Sequence, residues 1–326
     1  MSLFSRLWRA ALIVAVVAVA SIAAVLYWTP LWIVEQEQNL YMFRHGIDQH
    51  DIAVGEYKIH YLEAKPRSNG PEKPLLLIHG LGARSTNWTP AIPALAAGGY
   101  HVYALDLLGY GDSPKPANGD YSLAGEEKIV LGFLQAMNIP KADVAGWSMG
   151  GWVAMKVALD RPDLVRRLML YDSAGLYFQI NFPLSLFVPT NPKEFEQLIY
   201  QIEPDKPFVK TPTYALHGML RQMKKNQFIV DASFRSMLTG SELLDFRVHA
   251  LKMPVLIVWG TEDKLTPISM GLRLHELVPQ SVFVGIAGCG HLTVAECASQ
   301  AVPVTLKFLA ADPPQPPSIT MLPSAR

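Results

Sequence analysis

Ala142-Asp143-Val144-Ala145-Gly146-Trp147-Ser148-Met149-Gly150-Gly151 is the stretch on which the reading of this chain turns. A short apolar run ends abruptly at Ser148, and Met149 to Leu159 is rich in Ala, Met, Val and Leu. The pattern predicts strand, tight turn and helix with the serine at the apex. Gly146 and Gly150 flank it where strand and helix pass too close for a Cβ. The helix N-terminus aims unpaired N–H groups at whatever the serine attacks. Gly-x-Ser-x-Gly alone arises by chance in about one chain in ten of this length. Its flanks therefore decide, and they supply the context of a nucleophile elbow.

Working upstream, a helix is expected around 122–137 and a strand over His101–Leu105, followed by the loop Asp106-Leu107-Leu108-Gly109-Tyr110-Gly111-Asp112-Ser113-Pro114. Leu75-Leu76-Leu77-Ile78 is uniformly apolar, as a buried parallel strand should be, and runs into His79-Gly80-Leu81-Gly82. Alternation around Gly55 predicts a hairpin from residue 50. Downstream, strands at 166–171, 254–259 and 281–286 and helices near 268–277 and 294–310 continue the alternation. An α/β fold with a mostly parallel sheet and helices on both faces follows. The rhythm stops between 174 and 250, a stretch with prolines at 183, 189, 192, 204, 207 and 212, read as an inserted helical cap. The expected organisation is core over 50–173 and 251–310, cap over 174–250, and a Pro/Ser-rich disordered tail over 311–326.

The N-terminus reads differently. Ala10–Trp28 is 19 residues without a charge, about 28 Å as a helix, the thickness of a bilayer's hydrocarbon core. Arg6 and Arg9 precede it, Tyr27, Trp28 and Trp32 close it, and Glu35 and Glu37 follow. This predicts a single-pass anchor over 1–28 with a cytoplasmic N-terminus and a translocated, periplasmic or extracytoplasmic, main domain. Cleavage after Ala18-Val19-Ala20, with secretion, is the alternative. Residues 29–49 are then a juxtamembrane connector.

Lys and Arg total 28 against 28 Asp and Glu, in 326 residues, and no basic run or zinc-finger signature occurs, so no nucleic-acid partner is expected. Cys289 and Cys297 are too few for a structural zinc site and make no disulfide framework; Cys289 is read as a small buried hydrophobe. No metal or cofactor is expected.

A serine hydroxyl attacks only when a base takes its proton and a third group orients the base. Such partners gather beyond the carboxyl ends of parallel strands. Asp263, in Trp259-Gly260-Thr261-Glu262-Asp263, and His291, in Gly288-Cys289-Gly290-His291, stand there, giving the order Ser148, Asp263, His291. Glu262 and Asp172 are the other candidates for the acid. Asp106 and Asp112 are read as loop braces and His79 as a loop-shaping residue. Backbone N–H groups of Met149 and Leu81 would receive a developing oxyanion.

These five segments, His79–Gly82, Asp106–Ser113, Gly146–Gly151, Trp259–Asp263 and Gly288–His291, together resemble the α/β-hydrolase family over about residues 50–310. The resemblance implies that fold, with Ser148 as nucleophile, Asp263 as acid and His291 as base. It extends to carbon–carbon bond hydrolases of the meta-cleavage type and, most closely, to membrane-anchored monoacylglycerol lipases. A serine at the elbow speaks against the branches whose nucleophile is a carboxylate. The expected activity is hydrolysis of apolar lipid or other small esters, with Trp147, Phe178, Phe182 and Phe187 in the pocket. A carbon–carbon bond hydrolase with the same triad, and a receptor or scaffold that does not turn over, are the alternatives.

Overall fold

The structure, a computed structural model, describes residues 3–28, 31–66, 70, 72–204 and 213–324. Helices α1 (Leu3–Trp28) and α2 (Trp32–His45) lead into the hairpin β1 (Asp48–Val54) and β2 (Tyr57–Ala64). Then follow β3 (Pro74–Ile78), α3 (Ile92–Ala97), β4 (His101–Leu105), α4 (Leu123–Ala136), β5 (Ala142–Trp147), α5 (Met149–Asp160) and β6 (Val165–Tyr171). Helices α6 (Pro192–Ile202), α7 (Thr213–Lys225) and α8 (Gln227–Leu238) separate β6 from β7 (Val255–Gly260). The chain ends with α9 (Ile268–Leu277), β8 (Val282–Ile286), α10 (Ala298–Ala310) and β9 (Ser318–Leu322).

Among the described residues the strands form one nine-stranded sheet in the order β1-β2-β4-β3-β5-β6-β7-β8-β9. β1–β2 and β2–β4 pair antiparallel, and every later pair is parallel. The apolar run of β3 divides by parity. Leu76 and Ile78 face the layer of Val130, Phe133 and Val153, whereas Leu75 and Leu77 face Trp88, Leu95 and Val302. Successive side chains of a strand point to opposite faces, and a sheet covered on both sides needs both to be apolar. Truncating any of these leucines to Ala costs about 2–5 kcal/mol. β6 and β7 are sheet neighbours although the segment carrying α6, α7 and α8 lies between them in sequence. Among its described residues that segment contributes no strand.

Three expectations change. The single-pass anchor is not supported: among the described residues no helix is long and apolar enough to cross a membrane. The side chains of Arg6, Tyr27 and Trp28, on which orientation was argued, lie outside the described residues. The tail after residue 311 is not wholly unstructured, because Ser318–Leu322 pairs parallel with β8. Ile319, Thr320 and Met321 suit a strand, and they occupy a sheet edge that would otherwise be open. The last core helix starts at Ala298, not near 294, with Cys297 as its N-cap residue.

Candidate active site

The parallel strands deliver their carboxyl ends to one rim of the sheet, and the candidate side chains stand in the loops that follow them. Ser148 lies between β5 and α5 with φ 56° and ψ −122°, a left-handed conformation that a non-glycine residue rarely adopts. A Cβ on Gly146 would stand 2.2 Å from the Gly150 carbonyl oxygen, and one on Gly150 2.3 Å from the Ile78 oxygen. The two glycines are thus required by close backbone approach. The strained turn is held by Ser148 N–H donating to the Tyr171 carbonyl at 3.0 Å and by Ala174 N–H donating to the Ser148 carbonyl at 3.1 Å.

The loop after β3 passes directly alongside. A Cβ on Gly80 would come within 3.0 Å of the Ser148 Cβ. His79 is fully buried, its Nε2 accepting from Leu107 N–H at 3.1 Å and its Nδ1 bonded to the Gly80 carbonyl at 2.8 Å. Burial pushes its pKa down, so it is a neutral clamp on this loop. Asp106 braces the next one, accepting Ser85 N–H at 2.6 Å and Asp112 N–H at 2.7 Å. His60, Asp106 and Asp112 form the one group among the described residues with spacing suited to a metal ion. Two of the three are already engaged, however: Asp106 as above, and His60 through Nδ1 by Asp51 at 2.9 Å.

His291 and Asp263 meet. The His291 Nδ1 lies 2.7 Å from Asp263 Oδ2, and both residues are buried. The carboxylate is saturated: Oδ1 accepts Leu265 N–H at 2.8 Å and Thr266 N–H at 2.9 Å, and Oδ2 also accepts the Thr266 hydroxyl at 2.7 Å. Such a carboxylate has one role left, to receive Nδ1–H, which leaves Nε2 as the acceptor face of the ring. Burial alone would push the imidazole pKa down. The charge and hydrogen bond of Asp263, helped by Asp172 and Glu203, outweigh it and hold the value above the ordinary one.

The two other acid candidates are engaged elsewhere. Glu262 accepts from the Thr261 hydroxyl at 3.1 Å. Asp172, fully buried at φ 43°, accepts Gly260 N–H at 2.8 Å and is bonded to Thr293. Burial, then the Asp263 charge, raises the Asp172 pKa well above the carboxylate range.

Ser148 and His291 open into the same cavity of about 420 Å³, which Leu81 and Met149 also line. Phe178, Phe182 and Phe187 line it, with Trp152, Phe234, Met237 and Leu243. Among the described residues no Asp, Glu, Lys or Arg lines it. Trp147 corrects the expectation. It is 5% exposed and absent from the lining, and its indole N–H donates to the His291 carbonyl at 2.7 Å. It faces the opposite layer from the cavity because the chain reverses at Ser148.

Sequence reasoning missed two further features around His291. Thr266, three residues after Asp263, has a turn-forming hydroxyl that could have signalled its role. Cys289 and Cys297 are joined as a disulfide with a Cα separation of 6.4 Å, so Cys289 is not merely a buried hydrophobe. The signal was two cysteines eight apart with His291 between them, too close to suggest a framework.

Residues 73–218 match the family described as alpha/beta hydrolase fold. A 2-hydroxymuconate semialdehyde hydrolase of Pseudomonas sp. (strain CF600) is 30% identical over 251 residues, 74% of this chain and 88% of that relative. Lipase 1 of Psychrobacter immobilis is 28% identical over 257 residues, 75% of this chain and 78% of the lipase. Among solved structures, a bacterial membrane phospholipase A superposes with a TM-score of 0.75 at 26% identity, covering 92% of this chain and 99% of the other. With the sheet order, the elbow and these similarities in agreement, the chain belongs to the alpha/beta hydrolase family.

Proposed function

We propose that the protein is a serine carboxylic-ester hydrolase that cleaves esters of apolar acyl groups through an acyl-enzyme on Ser148. One observation carries the reading: the elbow serine and a buried histidine paired with Asp263 face a single apolar cavity. His291 Nε2 takes the Ser148 proton as Oγ attacks the ester carbonyl carbon. The oxygen that gains charge turns toward the N–H groups of Leu81 and Met149. His291 then gives its proton to the departing alcohol oxygen, and water, activated by the same nitrogen, releases the acid. The phenylalanines and methionine of the wall receive the acyl chain.

Carbon–carbon bond cleavage is the second reading, favoured by the 30% identity to a semialdehyde hydrolase. Another relative, 28% identical, is named for a dienoic acid. An acid substrate needs a cationic partner, and among the described residues the cavity lining offers no Lys or Arg. Ester hydrolysis therefore ranks first.

The test compares wild type and Ser148→Ala on p-nitrophenyl esters of graded chain length and on a meta-cleavage dienoate. Hydrolysis of the longer esters, lost by at least about 10⁴-fold in the alanine variant, is expected. Retained activity in that variant refutes the mechanism, and faster turnover of the dienoate promotes the second reading. Failure of a fluorophosphonate to label Ser148 in folded wild type would leave a member of the fold that binds without turnover.

A further inference from the structure

The loop that carries His291 is gripped from both sides. Its carbonyl receives the Trp147 indole N–H at 2.7 Å, from the strand that ends at Ser148. Its N–H donates to the Ile202 carbonyl at 2.7 Å, from the end of α6. The next N–H, of Leu292, donates to Glu203 Oε1 at 3.1 Å. Ile202 and Glu203 belong to the segment inserted between β6 and β7, not to the sheet layers. The Ile202 carbonyl is one of the last in its helix, a position with no intrahelical donor, so the base loop supplies one. Gly290 makes the approach possible: a Cβ there would stand 2.3 Å from the Ile202 oxygen and 3.1 Å from the Glu203 Cα.

We infer that Glu203 is a positioning residue for His291: together with the Ile202 carbonyl it fixes the base loop from the inserted segment, so that the inserted segment and the base are set as one unit. The inference rests on the reading of His291 as the base. A histidine ring turns about its Cα–Cβ bond, so the direction of Nε2 is fixed only if the backbone that bears it is fixed. Asp263 holds one ring nitrogen. Trp147, Ile202 and Glu203 hold the backbone. Glu203 is buried and does not line the cavity, so its effect falls on the chemical step and not on substrate binding.

Its charge acts too. Asp263 after β7 and Glu203 at the end of α6 bear on the His291 ring, as does Asp172 at the end of β6 at pH values where it is ionised, and each carboxylate favours the imidazolium. Removing one lowers the pH at which the base loses its proton, and the acidic limb of kcat/KM follows it down.

The experiment is a pH profile of kcat and KM on a p-nitrophenyl ester for wild type, Glu203→Gln, Glu203→Ala and Ser148→Ala. Glutamine keeps an oxygen for Leu292 N–H but not the charge. Its acidic limb is expected to fall by about half a pH unit, with plateau kcat within about twofold of wild type. Alanine removes both, and plateau kcat is expected to fall about tenfold with KM unchanged. Wild-type limb and kcat in both variants, folded by circular dichroism, overturn the inference, as does a change confined to KM or Tm. If the alanine variant does not fold, the limb of the glutamine variant decides. An inactive Ser148→Ala with wild-type behaviour at 203 refutes the positioning role alone, whereas an active Ser148→Ala removes the base reading and this inference together.

Discussion

Asp263→Asn tests the site where its geometry is most constrained. In the native arrangement Oδ1 receives two backbone N–H groups, at 2.8 and 2.9 Å, from Leu265 and Thr266. An asparagine cannot turn its NH₂ toward those two donors without leaving both N–H groups unpaired, at about 1–3 kcal/mol each. The amide oxygen must therefore take the Oδ1 place, and the NH₂ the Oδ2 place, facing Thr266 and the His291 Nδ1. The Thr266 hydroxyl tolerates this, since it also reaches the Asp172 carbonyl at 3.0 Å and can donate there while accepting from the amide. The imidazole has no such freedom. Its Nδ1 becomes the acceptor, the proton moves to Nε2, and the ring can no longer take a proton from Ser148. For the same exchange in a Ser-His-Asp site the loss is about 10⁴-fold, equal to about 5.4 kcal/mol of barrier. The assay is kcat/KM for a p-nitrophenyl ester across pH, with ¹⁵N spectra of the imidazole to read the tautomer. Activity within tenfold of wild type, or an Nδ1–H signal in the variant, would refute the argument and return Asp172 or Glu262 to consideration as the acid.

Two other perturbations bear on the fold around the site. Replacing Cys289 and Cys297 together by Ala opens a loop closed across eight positions, a loss of about 2.5 kcal/mol in the chain-entropy account. A lower Tm by calorimetry is expected, with a fall in kcat because His291 lies inside that loop; an unchanged Tm would show that Glu203, Ile202 and Trp147 hold it unaided. Glu126 is fully buried, with Oε2 accepting Leu108 N–H at 3.1 Å and Oε1 unpartnered among the described residues, and burial raises its pKa well above 4.5. It carries a proton in the fold that the unfolded chain releases above about pH 4.5, so wild-type stability falls as pH rises from there toward the raised value. Glu126→Gln removes that dependence, and urea unfolding should show it gaining on wild type between pH 5 and pH 8; a constant difference would mean that the native carboxyl is ionised.

What could be read from the sequence, and what could not, divides by the range of the interaction. The β3 run and the elbow glycines are legible because their cause is local: a strand covered on two faces must be apolar throughout, and a turn this tight excludes a Cβ. Ser148, Asp263 and His291 are legible for a related reason, since each stands just beyond a strand end and the parallel order brings those ends to one rim. Trp147 shows where this stops. Adjacency to Ser148 suggested the pocket, but the residue before a reversal points the other way, and its partner lies 144 positions along the chain. Glu203 is harder still, because nothing near it marks a bond to Leu292, 89 positions away. Gly290 is the half-visible case: its place beside His291 was evident, but the backbone it admits was not. The tail is not legible from composition, since a Pro-rich stretch surrounds the five residues that form its strand. A glycine or a catalytic type announces that a site exists, whereas the groups that aim it are ordinary residues whose meaning arises only when distant segments meet. That is why the untested weight of the mechanism rests on residues such as Thr266, Trp147 and Glu203, and why substitutions there discriminate between an assembled base and one that is merely nearby.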